Sequence, residues 1–131
     1  MNDTPSAAAT FPVLCDLDGV VWLSHQPIDG SVEAIARLRA RGHRVLFVTN
    51  NSASRIGEQE AALAAIGIPA TGDVLSSADA AALLVDAGER VMVCGGPGIV
   101  EAITARGAVA ADDGPTTWSW SASTATSTTR R

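Results

Sequence analysis

Val13-Leu14-Cys15-Asp16-Leu17-Asp18-Gly19 passes from apolar to acidic within four residues and closes on a glycine. The apolar run from Phe11 to Leu14, ending at Cys15-Asp16, predicts a buried strand with an Asp-x-Asp-Gly loop at its carboxyl end. The same succession recurs downstream. Arg44 to Val48 forms a second apolar, β-branched run, which stops at Thr49-Asn50-Asn51-Ser52. Between them Ser31 is suited to N-cap a helix with the stripe Val32, Ile35, Ala36 and Leu38, and Gly42 closes it.

Further on, a helix from about Ser54 carries Ile56, Leu63 and Ile66 and ends at Gly67. Val74-Leu75 and Ser76-Ser77 lead into a third helix carrying Ala80, Ala81, Leu84 and Val85. Arg90 to Cys94 is a further strand. Gly95-Gly96-Pro97-Gly98 turns into a helix from Ile99 to Arg106, and Ala108 to Ala110 is a weak strand. Strands alternating with helices of about ten residues predict an α/β fold with a largely parallel sheet.

Composition narrows the functions such a fold can carry. A length of 131 residues suits one modest core, and 47% hydrophobic residues is ordinary for a globular chain. The net charge of −5 excludes electrostatic attraction to nucleic acid or an anionic membrane. No apolar run reaches membrane-spanning length. Residues 1–10 are small and polar, with neither a basic segment nor a long apolar one, so a disordered leader and a cytoplasmic location are expected. Cys15 and Cys94 are far apart and read as small buried hydrophobes rather than ligands or a redox pair.

In an open parallel sheet, ligands gather beyond the carboxyl ends of the strands. Asp16-Leu17-Asp18-Gly19 and Thr49-Asn50-Asn51-Ser52 both lie at such ends, so the two clusters are candidates for one site. Carboxylates at i and i+2 repel unless a cation lies between them, and an oxygen-only pair suits Mg²⁺. Asp16 could then attack phosphorus, and Asp18 could serve as general acid and base. Gly19 permits close backbone approach, while Thr49 and Asn50 offer donors to phosphoryl oxygens. Taken singly, Asp-x-Asp-Gly is also a common turn or the opening of a calcium loop, but apolar Val20 to Leu23 supply no further calcium ligands. Thr-Asn-Asn-Ser is equally a helix N-cap region.

These motifs resemble a known family. Cys15-Asp16-Leu17-Asp18-Gly19-Val20-Val21-Trp22, then Pro27-Ile28-Asp29-Gly30, then Val48-Thr49-Asn50-Asn51-Ser52 look like motifs I and II of the haloacid dehalogenase superfamily. The wording is similar to its class IIA, NagD-like branch, which includes nitrophenylphosphatases and phosphoglycolate phosphatases. The likeness runs from about Val13 to Asp113. It implies a Mg²⁺-dependent phosphatase acting on a small phosphorylated metabolite through a phosphoaspartate. Asp16 would be the nucleophile and Asp18 the general acid and base. The Asp16 carboxylate and the Asp18 carbonyl would hold the metal. Gly19, Thr49, Asn50 and Asn51 would line the phosphate site, and Val20 to Gly30 would form a flap over it. The resemblance implies a Rossmann-like core fragment over 11–75, followed by the start of an inserted cap domain over 76–115.

The family also uses a motif III lysine and motif IV acids, and this chain contains no lysine. A catalytically inactive, weakly phosphate-binding product is therefore the main rival reading. Residues 116–131 use only Thr, Ser, Ala, Trp and Arg. They read either as a disordered low-complexity tail or as a GC-rich gene translated out of frame, since those residues' usual codons carry C or G at the second base. On the second reading the chain is a truncated product whose frame is lost shortly after Pro115. A third possibility is a dinucleotide-binding loop at Gly95-Gly96-Pro97-Gly98, although Glu101 stands where a further Gly or Ala is needed.

Overall fold

Apolar side chains alternate along the first strand, β1 (Val13–Asp16), and only one side of it is half-buried. In the computed structural model, which describes residues 10–111 and 118–121, β1 pairs in parallel with β4 (Val45–Thr49), setting Asp16 opposite Val48. On its other side β4 pairs in parallel with β5 (Val74–Ser76), with Thr49 opposite Ser76. The strand order is β1-β4-β5. Two parallel neighbours require crossovers, and α1 (Ser31–Ala40) and α2 (Ile56–Ala65) provide them.

One face of this sheet is covered. Leu17, Val21, Trp22, Ile35, Val45, Phe47, Leu63, Ile68 and Ala70 form a continuous buried cluster. The opposite face keeps Leu14 70% and Leu75 49% exposed. Between β1 and α1 the chain makes a small antiparallel hairpin of β2 (Trp22–Leu23) and β3 (Gln26–Pro27). Its two-residue loop, Ser24-His25, has both residues at positive φ, the geometry that matches the twist of a tight hairpin.

A second parallel sheet follows. β6 (Arg90–Cys94) lies between β7 (Val109–Ala111) and β8 (Trp118–Ser121). Its core contains Val85, Val91, Ile99 and Ile103 with four buried alanines. Those alanines and isoleucines come largely from α3 (Ser77–Ala82) and α4 (Pro97–Ala105), which pack together. The molecule is thus α/β with parallel sheets.

Several local expectations shift. Ser31 does not cap α1: Gly30 occupies the N-cap in a left-handed conformation, and the Ser31 hydroxyl donates to the Val21 carbonyl at 2.8 Å. Gly42 ends that helix at φ 85° as expected. Leu84, expected on a packed face, is 72% exposed. The reason is that α3 ends at Ala82 and tightens into a short turn, with the Leu84 amide on the Ala81 carbonyl, which resets the helical period. Ser76 closes β5 and caps α3, so the passage from the first sheet to the second falls beside it. The leader expectation for residues 1–9, and the tail expectations for 116–117 and 122–131, lie outside the described residues. Among the described residues no helix is long and apolar enough to cross a membrane.

Candidate active site

The loop after β1 is built on one buried residue. Leu17 is fully buried, and its carbonyl accepts from the amides of Val20, Val21 and Trp22. The Leu17 amide donates to the Val48 carbonyl at 3.2 Å, continuing the β1–β4 ladder one step. This anchoring leaves Asp16 and Asp18 exposed on either side of Leu17. The Asp16 Oδ1 accepts from the Leu17 amide at 2.9 Å, and the Asp18 Oδ1 accepts from the Trp22 indole Nε1 at 3.0 Å. Trp22 is itself 1% exposed, so the indole is a fixed donor. Gly19 has φ 82°, and a β-carbon there would meet nothing within 4 Å. Backbone conformation, rather than crowding, is what calls for glycine at that point.

Beyond β4, Thr49 is buried and its Oγ1 accepts from the Asn51 amide at 3.0 Å. That bond occupies a lone pair and leaves the hydroxyl hydrogen available to a ligand. Asn50 is exposed, and its carbonyl accepts from the Ser77 hydroxyl at 3.2 Å. The Asn51 Oδ1 is committed to the amides of Ala53 at 3.2 Å and Ser54 at 3.4 Å, an arrangement that shapes the loop.

A cavity of about 300 Å³ lies where the three strands of the first sheet end, lined by Asp16, Val48, Thr49, Asn50, Leu75, Ser76, Ser77 and Ala80. It brings Asp16 together with Thr49 and Asn50, which are more than thirty residues away in sequence. Asp18, Gly19 and Asn51 do not line it. Ser76 and Ser77 were not expected there. The signal for them was their place just after Val74-Leu75, at the end of a third parallel strand. Ser76 spends its polar groups on capping α3: its Oγ lies 2.6 Å from Asp79 Oδ2, and its amide donates to the same oxygen at 2.9 Å.

Cys15 adjoins the Asp16–Gly19 loop, and its thiol is pushed above the ordinary thiol range, first by burial and second by the Asp16 charge. Such a thiol stays protonated and unreactive at neutral pH. Gly95-Gly96-Pro97-Gly98 holds no open cradle: a β-carbon on Gly96 would stand 2.6 Å from the Ala53 carbonyl oxygen, and one on Gly98 would overlap the Ser54 carbonyl. The chain itself fills the space that a dinucleotide phosphate would need.

Comparison with known proteins places this arrangement. A family profile described as haloacid dehalogenase-like hydrolase matches residues 13–109. A D-glycerol 3-phosphate phosphatase of Mycobacterium tuberculosis is 38% identical over 100 residues, covering 72% of this chain and 28% of that protein. An acid sugar phosphatase of Staphylococcus saprophyticus is 38% identical over 104 residues, covering 76% of this chain and 40% of that protein. The crystal structure of a glycerol phosphate phosphatase from M. tuberculosis in complex with magnesium superposes with a TM-score of 0.68 at 33% identity, covering 77% of this chain and 31% of that one. The chain therefore spans less than half the length of these relatives.

Proposed function

This chain belongs to the haloacid dehalogenase-like hydrolases, and on that premise we propose that the protein carrying it is a Mg²⁺-dependent phosphatase that hydrolyses a small organophosphate monoester through an aspartyl-phosphate on Asp16. The observation that carries this reading is the cavity joining Asp16 to Thr49 and Asn50. A carboxylate and two neutral donors meet there at strand ends, which is what in-line attack on a phosphoryl group requires.

In the first step an Asp16 carboxylate oxygen forms a bond to phosphorus while the ester oxygen departs. Asp18, in its acid form, gives that oxygen a proton. In the second step Asp18 takes a proton from water, the water oxygen bonds to phosphorus, and the Asp16–phosphate bond breaks, releasing inorganic phosphate. The Trp22 indole holds one Asp18 oxygen, leaving the other to exchange the proton. Thr49 donates its hydroxyl hydrogen, and Asn50 its amide, to the phosphoryl oxygens. Gly19, in its left-handed conformation, lets the chain turn from Asp18 into the hairpin.

Magnesium fits this loop in donor chemistry. The Asp16 carboxylate and the Asp18 carbonyl would hold it, and its charge would offset the repulsion between an attacking carboxylate and an anionic phosphate. Among the described residues no group of three or more His, Cys, Asp or Glu side chains converges, so those two oxygens are what this loop would offer the metal. The small phosphorylated substrates named for the relatives support a metabolite of that size here.

The full-length protein carrying this sequence should release p-nitrophenol from p-nitrophenyl phosphate only with Mg²⁺ present. Asp16→Asn should lower kcat by at least about 10³-fold, the scale on which loss of a nucleophile acts. Equal rates from both proteins would remove Asp16 from the mechanism. A second reading applies to the 131 residues alone. With no lysine and one carboxylate in the cavity, they bind phosphate without turning it over. Phosphate release by the 131-residue chain would exclude that reading.

A further inference from the structure

Thr49 is joined to helix α4 of the second sheet by a series of hydrogen bonds. Its Oγ1 accepts from the Asn51 amide, the Asn51 Oδ1 accepts from the Ala53 amide, and the Ala53 carbonyl accepts from the Gly98 amide at 3.0 Å. Gly98 lies in the first turn of α4. One turn further on, Glu101 Oε1 accepts from the amide of Ile56, the first residue of α2, at 3.1 Å. The other Glu101 oxygen lies 3.8 Å from Arg55 Nε. Helix α4 therefore grips residues 52–56 through both backbone and side chain.

The fit leaves no slack. Gly96 has φ −80° and ψ 177°, a conformation open to any residue, and Gly98 is helical. Neither needs glycine for its own backbone. Each needs it because the 52–54 backbone passes where a side chain would begin, a β-carbon on Gly98 standing 2.7 Å from the Ser52 carbonyl oxygen.

We infer that Gly98 and Glu101 are positioning residues for the phosphate contact at Thr49 and Asn50, so that phosphate binding and the seating of α4 are coupled. This rests on the reading of Thr49 and Asn50 as phosphate contacts. If residues 52–56 shift, Ala53 draws Asn51 with it, the Asn51 amide leaves Thr49 Oγ1, and the hydroxyl is free to rotate away from the phosphate. Coupling between two sites is reciprocal, so bound phosphate must tighten the α4 contact by the factor by which that contact tightens phosphate.

The test is amide hydrogen exchange of the 131-residue chain with Mg²⁺, with and without inorganic phosphate, taking the α1 amides as the measure of global stabilisation. Phosphate should slow Asn51, Gly98 and Ile56 together, beyond any slowing in α1. Glu101→Ala should weaken inorganic phosphate binding about fivefold. Glu101→Gln, which keeps an oxygen for the Ile56 amide, should restore most of it, and a merely structural role would not produce that rescue in affinity. Gly98→Ala should act more strongly; should that variant fail to fold, the Glu101 pair still decides. Slowing at Asn51 with none at Gly98 and Ile56, or equal phosphate affinity in the Glu101 variants and the parent, would overturn the coupling while leaving the phosphate site standing. No slowing at any of these amides would overturn both.

Discussion

Under the β1-β4-β5 sheet the buried side chains include Leu17, Trp22, Phe47, Leu63 and Ile68, whereas four of the eight buried residues under the β7-β6-β8 sheet are alanines. The two regions bury their helices by different means. In the first, large side chains fill the space between sheet and helix, and Leu17 and Trp22 carry that packing to the Asp16–Gly19 loop. In the second, α3 and α4 come close because alanine lets them. A core of large side chains is sensitive to deletion, and a core of small ones is sensitive to insertion. The first therefore underlies the Asp16–Gly19 loop, and the second is a close-fitting support that reaches back to the 52–56 segment.

The largest effect should come from emptying the first core. Phe47→Ala should cost about 3–5 kcal/mol of unfolding free energy, read from urea titration. A cost below about 1 kcal/mol would mean that large side chains do not set that packing. The second core should respond to enlargement. Ala82→Leu should cost about 1–3 kcal/mol, because a residue only 1% exposed has no room to grow. Indifference to that change would dissolve the contrast between the two regions. The bare face of the first sheet should hardly respond. Leu14→Ser should change stability by no more than about 0.5 kcal/mol, since the side chain is 70% exposed.

The two cysteines sharpen the same contrast most gently. Cys15 faces the large core and its thiol is held above the ordinary range by burial and by Asp16, while Cys94, expected to be a small buried hydrophobe, is instead exposed at the end of β6. Iodoacetamide should modify Cys94 first. Modification of Cys15 should begin at a more alkaline pH than in the unfolded chain. The sign for stability follows: a thiol whose folded pKa is raised favours folding in its neutral form. Its contribution is complete below the ordinary thiol pKa and is lost as pH rises through the raised value.

Much of the first region was legible because it is written locally. β1 and β4 are short apolar runs that stop at polar clusters, and Gly42 and Gly67 close the helices where the hydrophobic period stops. The helix starts were less legible. Ser31 has the chemistry of a cap, yet its hydroxyl went to the Val21 carbonyl in the hairpin, a partner ten residues back. Leu84 was misplaced because a six-residue alanine-rich helix has too short a period to show where it ends. In the candidate site, Asp16, Thr49 and Asn50 could be named from their positions after strands. Ser76 and Ser77 had only a faint signal of the same kind, because β5 has three residues and shows itself as a strand chiefly by pairing with β4.

The sequence by itself determined the alternation of strands and helices, the acidic loop at the end of the first strand, and the family to which those motifs point. Each of these depends on neighbours in the chain, through periodicity, turn chemistry and the spacing of two carboxylates. Only the tertiary structure decided that Thr49 and Asn50 share a cavity with Asp16, that Asn51 spends its side chain on the loop, and that Gly96 and Gly98 are glycines for the sake of Ala53 and Ser54. Those outcomes depend on strand register and on backbone segments about forty-five residues apart meeting at van der Waals distance. No local pattern encodes such a meeting, because it follows from how all the buried surfaces fit at once.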